Sequence, residues 1–278
     1  MKKISRRSFL AAAGLSVAAL ALTACGGSSS TASSVASSAA SSEAASTSAA
    51  AGELTTVEAG KLTMATNATF PPYEMTTDSG DIEGIDVDTA KAIAEKLGLE
   101  LQIDDMDFDA ALLSVQQGKA DIAMAGITVT DERKAVMAFS DSYATGIQSI
   151  IVPEDSGIAS PDDLAGKKIG TQRGTTGYIY CSDDFGDDNV VAYDNGLTAV
   201  QALTNGQVDA VVIDNAPAKE FVAANPGLVI LDTSYAEEDY AIGMAKGSSL
   251  EDAVNAALEE LKADGTLQSI VDKYITAE

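Results

Sequence analysis

The chain has 278 residues, 46% of them hydrophobic, which is enough for one large or two modest domains. Against 42 Asp and Glu stand 17 Lys and Arg, a net charge of −25 that argues against nucleic acid, and against anionic lipid bound through the folded body. There is no histidine and there are two cysteines, Cys25 and Cys181, so the usual zinc constellations are excluded and neither a metal nor another cofactor is expected.

Residues 1–25 read as an export signal. Lys2, Lys3, Arg6 and Arg7 precede an apolar stretch from Phe9 to Leu22, and Leu22-Thr23-Ala24-Cys25-Gly26 looks like a lipobox. Lipidated Cys25 would then be the mature N-terminus and the membrane anchor. The alternative is a retained span, although Gly14 and Ser16 interrupt the stretch and it is short for crossing a bilayer. Ser5-Arg6-Arg7-Ser8-Phe9-Leu10 also resembles a twin-arginine signal, which leaves the export route open. Residues 26–52 are nearly all Ser, Ala, Gly and Thr. Such a segment buries too little apolar surface to offset its ordering entropy, so a flexible tether is expected.

The body begins near residue 53 and reads as α/β in two similar halves. Lys61 to Thr66 predicts a strand, Asp88 to Leu97 an amphipathic helix stopped by Gly98, and Leu99 to Ile103 the next strand. Phe108 to Gln117 predicts a helix, and Asp121 to Ile127 a third strand. After Ile147 to Val152 the pattern restarts with strands at 168–171, 190–193 and 210–213 and helices at 175–181 and 197–204. Leu228 to Leu231 completes that half, and two helices, about 249–263 and 266–274, follow Tyr240 to Met244. Ligands of such folds sit at the carboxyl ends of the strands.

Two charges fall at such ends. Arg133 follows the run Ala120 to Ile127 and the segment Gly126-Ile127-Thr128-Val129-Thr130, where Thr130 suits a helix N-cap. An arginine there faces the positive end of the helix dipole and wants an anion, either Asp131 or Glu132 nearby or a bound ligand. Asp214 ends the apolar run Val211-Val212-Ile213, as a helix N-cap, a turn residue or a site for a cation. Together the two could grip both charges of a zwitterion. Gly174-Thr175-Thr176-Gly177, where a strand turns into a helix, is either a plain tight turn or an anion seat built from free amides. The Asp105 to Asp109 run mimics a calcium loop, but Ala110 stands where glycine is needed.

At these residues the chain resembles the family 3 extracellular solute-binding proteins, the polar amino-acid receptors of ABC importers. The likeness rests on Phe70-Pro71-Pro72-Tyr73-Glu74, Gly84-Ile85-Asp86-Val87-Asp88, Gln117-Gly118-Lys119-Ala120-Asp121, Gly126 to Arg133, Phe139 to Tyr143 and Asp214, in that order. The resemblance implies a two-lobed periplasmic-binding-protein-like fold of type II, with two hinge strands and the ligand in the interlobe cleft. It implies lobe 1 from residues 53–143 and 243–278 and lobe 2 from 148–237.

It further implies that Arg133 holds a ligand α-carboxylate, helped by the Thr128 hydroxyl and by backbone N–H groups at Gly126, Thr175 and Thr176. Asp214 would take the ammonium. Phe70, Tyr73 and Phe108 would stack on the side chain, with Asn67 and Gln172 beside them. The expected partners are an L-amino acid, the transmembrane subunits of a permease and the membrane through Cys25, outside the cytoplasm. Some relatives of this fold are dehydratases acting on prephenate-like acids, which is the enzymatic alternative. Many members that take cationic or glutamine side chains carry an Asp near Asn67. A neutral amide there favours a polar neutral or sulfur-containing side chain over a basic one, unless Glu74, Glu83 or Asp86 substitutes.

Overall fold

The computed structural model describes residues 54–232 and 234–275, so the export signal, the tether and Cys25 lie outside the described residues. The first series of elements is β1 (Lys61–Thr66), β2 (Thr69–Phe70), β3 (Glu74–Thr76), β4 (Ile82–Glu83), α1 (Ile85–Leu97), β5 (Glu100–Asp105), α2 (Phe108–Gln116), β6 (Ile122–Ala123), α3 (Asp131–Val136) and β7 (Met137–Phe139). A second series follows: β8 (Ala144–Pro153), β9 (Ile169–Gln172), α4 (Thr176–Phe185), β10 (Val190–Tyr193), α5 (Gly196–Thr204), β11 (Ala210–Asp214), α6 (Asn215–Ala224), β12 (Leu228–Ile230) and β13 (Ala236–Tyr240). Last come β14 (Gly243–Ala245), α7 (Glu251–Ala263) and α8 (Thr266–Tyr274).

Two main sheets result. The first has the order β5-β1-β6-β14-β7, with β1 parallel to β5 and β6, and β14 antiparallel to its neighbours. The second has the order β10-β9-β11-β8-β12, with β13 also on β8. There β9 runs parallel to β10 and β11, while β8 is antiparallel to β11, β12 and β13. The chain passes between the sheets at residues 140–143 and again at 241–242. These crossings are held side by side by the β8–β13 ladder and by Tyr143 N–H to Tyr240 O at 3.0 Å.

The period of the sequence explains most elements. In α1, Ile85, Ala90, Ile93 and Ala94 are buried at helical spacing, and Asp86 and Asp88 occupy the first turn, where the dipole favours carboxylates. The helix starts at Ile85 rather than Asp88, because the Asp88 N–H already reaches Gly84 O at 2.9 Å. Only Ile122 and Ala123 of the run Asp121 to Ile127 form a strand. The remainder is apolar because it is buried, Met124 and Ile127 being fully inaccessible, although the Met124 N–H still reaches Ala65 O at 3.1 Å and Ile127 O accepts the Ala241 N–H at 3.1 Å. Residues 215–220, which the pattern left unassigned, belong to α6. Pro217 lies in its first turn, where a missing N–H costs nothing.

The closing helices return to the first sheet. Val254, Leu258 and Leu261 of α7 join the buried cluster that contains Ile93 and Met64. Lys96–Glu260 at 3.0 Å and Lys273–Asp88 at 2.7 Å add exposed ion pairs on top, which contribute little beside the apolar burial.

Candidate functional site

Two pairs of parallel strands, β1 with β6 and β9 with β11, bring their carboxyl ends to one cavity. Asn67 follows β1, Ala125 and Gly126 follow β6, Gln172 ends β9 and Asp214 ends β11. Phe70, Glu74, Phe108, Thr128 and Arg133 complete the wall on the side of the first sheet, and Thr175 and Thr176 at the start of α4 complete the other. Every residue expected at the site therefore lines this cavity except Tyr73. The space between the walls is about 20 Å³, roughly room for one water.

Arg133 is placed by α3, where the Thr130 hydroxyl accepts the Arg133 N–H at 3.2 Å and caps the helix. Its guanidinium bonds to backbone carbonyls. Nη1 donates to Thr128 O at 2.7 Å, Nη2 donates to Gly174 O at 3.1 Å across the cavity, and the group lies 5.4 Å from the Phe108 ring centre. Burial lowers its pKa, while the charges of Glu238, Asp109 and Asp214 work against that shift. A buried guanidinium spending these donors on carbonyls, which carry no net charge, is a ready seat for an anion.

Asp214 stands at the N-cap position of α6 without capping it. Its Oδ2 accepts from Gln148 Nε2 at 2.9 Å, and Oδ1 accepts from the Tyr240 hydroxyl. Burial pushes its pKa up to about 7, and the negative charge of Glu238 adds to the rise, against the pull of the Tyr240 and Gln148 bonds. An ammonium entering beside it would restore an ordinary carboxylate.

Three expectations change in the folded chain. The Gly126 N–H is spent on Asp86 Oδ2 at 3.0 Å, so it has no bond to offer a ligand carboxylate. The Thr128 hydroxyl donates to Glu238 Oε2 at 3.1 Å. A hydroxyl has one proton, so toward the cavity Thr128 presents lone pairs, which suit an ammonium rather than a carboxylate. Tyr73 turns behind Phe70, stacked at 5.9 Å and edge-on to Tyr240 at 5.3 Å, and lines a groove on the other side of the crossings. The bond from Tyr73 N–H back to Phe70 O closes the turn that swings it there.

Asn67 is also committed. Its Oδ1 accepts from Thr69 Oγ1 at 2.9 Å and from Gln172 Nε2 at 3.0 Å, and its Nδ2 donates to Met106 O at 2.9 Å. The Gln172 bond spans the cavity, as does Arg133 to Gly174, so an entering amino acid must part these contacts.

Glu238 escaped the sequence reading. Its Oε2 accepts from Thr128 and Thr176 hydroxyls, at 3.1 and 3.0 Å, and from Gln148 Nε2 at 2.9 Å, clasping the two walls from β13. In the sequence it is one acid in the run Glu237-Glu238-Asp239. Only strand alternation, which turns Glu238 inward and leaves its neighbours exposed, marks it out.

Two facing α/β sheets joined by two crossings, with a buried cation and a buried carboxylate on one cavity, define a two-lobed ligand-binding protein. The chain belongs to the bacterial extracellular solute-binding proteins, family 3, whose pattern it matches over residues 62–277. It is a binding protein rather than an enzyme, as its relatives are. It is 34% identical to the arginine-binding extracellular protein ArtP of Bacillus subtilis over 78% of this chain and 87% of that one. To the L-cystine-binding protein TcyJ of Escherichia coli it is 31% identical over 80% and 85%. The crystal structure of a P235GK mutant of ArgBP from T. maritima superimposes with a TM-score of 0.75 at 41% identity, covering 78% of this chain and 96% of that one.

Proposed function

We infer that the chain captures an L-amino acid outside the cytoplasm and delivers it to the membrane subunits of an ABC importer. The observation that carries this reading is the pairing of Arg133 and Asp214, both buried, on the wall of one cavity. Arg133 takes the α-carboxylate, with the first amide of α4 at Thr176, which has no partner within the helix, while the N-cap Thr175 N–H reaches Gln172 O at 3.4 Å. Asp214 takes the ammonium, assisted by the Thr128 oxygen. Phe70 and Phe108 flank the ligand side chain.

Residues 53–143 with 243–278 form one lobe and 148–237 the other, in keeping with the two sheets. The crossings at 140–143 and 241–242 serve as the hinge that lets the walls part. A thermal-shift screen of the twenty amino acids with cystine and ornithine tests the reading. A ligand at a hundred times its Kd stabilises the fold by about 2.7 kcal/mol, which raises the melting temperature by several degrees. If no amino acid raises it, the reading fails. The names of the relatives put arginine and cystine first in the screen.

The same reading includes an anchor at Cys25, supported by Leu22-Thr23-Ala24-Cys25-Gly26. Cys25→Ser is expected to block lipidation and move the protein from the membrane fraction to the soluble one. A variant that stays in the membrane fraction would point to a retained N-terminal span instead.

A further inference from the structure

Asp214 and the hydroxyl oxygens of Thr128 and Thr176 face one end of the cavity. The side-chain protons of this cluster are all committed away from it. Both hydroxyls donate to Glu238 Oε2, at 3.1 and 3.0 Å, closer than the 3.4 Å between the two hydroxyl oxygens themselves. The two N–H bonds of Gln148 Nε2 go to Asp214 Oδ2 and Glu238 Oε2, both at 2.9 Å, and the Tyr240 hydroxyl goes to Asp214 Oδ1. Glu238 is buried on β13 outside the wall, and its Oε1 receives no bond. Backbone fixes the arrangement: Thr128 bridges to Tyr240, with the Val129 N–H on Asp239 O at 3.0 Å and the Ala241 N–H on Ile127 O at 3.1 Å. What remains for a ligand at this end is lone pairs.

An α-ammonium brings three N–H bonds and no lone pair, so a wall of acceptors alone suits it. An α-hydroxyl brings one proton and two lone pairs, and an α-keto oxygen brings lone pairs only. Against this wall they set acceptor against acceptor where no water can intervene. A threonine hydroxyl by itself makes no such choice, because its proton rotates to whichever acceptor is near. Resting on the amino-acid reading above, we propose that Glu238 is a positioning residue that makes the choice: it holds the Thr128 and Thr176 protons out of the cavity, so that the site takes α-amino acids and rejects the α-hydroxy and α-keto acids with the same side chain. Glu238 touches no ligand and acts through the two hydroxyls. Its chemistry decides the outcome, because a carboxylate only accepts. The amide of Glu238→Gln has N–H bonds to place among the same three partners, so at least one hydroxyl must receive rather than donate, and its proton turns into the cavity.

The test is calorimetry of L-arginine against its α-hydroxy analogue, argininic acid. If the thermal screen places another amino acid first, that amino acid and its own α-hydroxy analogue take their place. The wild type should prefer the amino acid by about a hundredfold or more. Glu238→Gln should reduce that preference by about tenfold, through weaker binding of the amino acid while the hydroxy acid holds or gains. With Thr128→Val and Thr176→Val already in place, the same change at 238 should shift the preference by no more than about threefold, because the hydroxyls it acts through are gone. An equal shift in that background would mean that Glu238 acts by its charge across space, and would overturn the proposal. The ligand-free wild type supplies a readout that needs no variant, which decides even if Glu238→Gln folds poorly. Its NMR spectrum should show the Thr128 and Thr176 hydroxyl protons as separate, slowly exchanging resonances, and their absence would also overturn the proposal. If amino and hydroxy acids bind the wild type alike, this inference fails and the amino-acid reading stands; if no amino acid binds, that reading itself fails.

Discussion

Arg133→Ala and Asp214→Ala are each expected to cost about 2–5 kcal/mol in amino-acid affinity, roughly thirtyfold to several thousandfold, because each leaves one ligand charge without its partner in a water-poor site. Arg133 on α3 and Asp214 at the end of β11 stand on opposite walls and act on opposite ends of the ligand. Their effects on the ligand-free fold should differ from their effects on binding. Asp214 has a folded pKa raised to about 7, so near neutral pH the fold carries the cost of a buried carboxyl that the unfolded chain ionises freely. That cost is absent below the ordinary carboxylate pKa and grows as pH rises toward 7. Asp214→Asn should therefore hold or raise the melting temperature at pH 7 while weakening binding, the trade expected of a residue kept for function. Calorimetry beside thermal melts at pH 5 and pH 7 reads both. Wild-type affinity in either alanine variant would remove that residue from the site.

Gly84→Ala is expected to be the most damaging small substitution near the site. Gly84 has φ of 142°, and a Cβ there would stand 2.1 Å from Tyr73 O and 2.8 Å from Glu74 N, both backbone atoms that cannot swing aside. Backbone strain and overlap together amount to about 2–5 kcal/mol. For a body of this size that is a fall of roughly 5–20 °C in melting temperature. Gly60→Ala is the control: its φ of 81° brings the strain, but nothing lies within 4 Å of the added carbon. A Gly84 variant that melts no lower than the Gly60 variant would show that the segment from Tyr73 to Asp86 yields easily, and that Glu74 is less firmly placed than its packing implies.

The sequence by itself determined the alternation of strand and helix, the two halves, and the pair of opposite charges at strand ends. These are legible because burial imposes a short period on each element, and because a charge that ends an apolar run stands out, although a helix cap, a turn or a local ion pair would also account for it. It also carried the family, through the order of its motifs. What it could not decide is where each polar atom spends its bonds. Asn67 looks like a free amide until Gln172, 105 residues away, is brought against it. The Gly126 N–H looks available until Asp86 of α1 reaches it. Tyr73 looks like a partner of Phe70 at the ligand, yet a turn places it behind that ring. Glu74 and Glu238 are two among 42 acidic residues. Only packing shows that one is buried without a donor and the other clasps two walls. Local pattern encodes burial and period, which neighbours in sequence share. Hydrogen bonding and desolvation at the site depend on residues far apart in the chain, and only the tertiary structure brings them together.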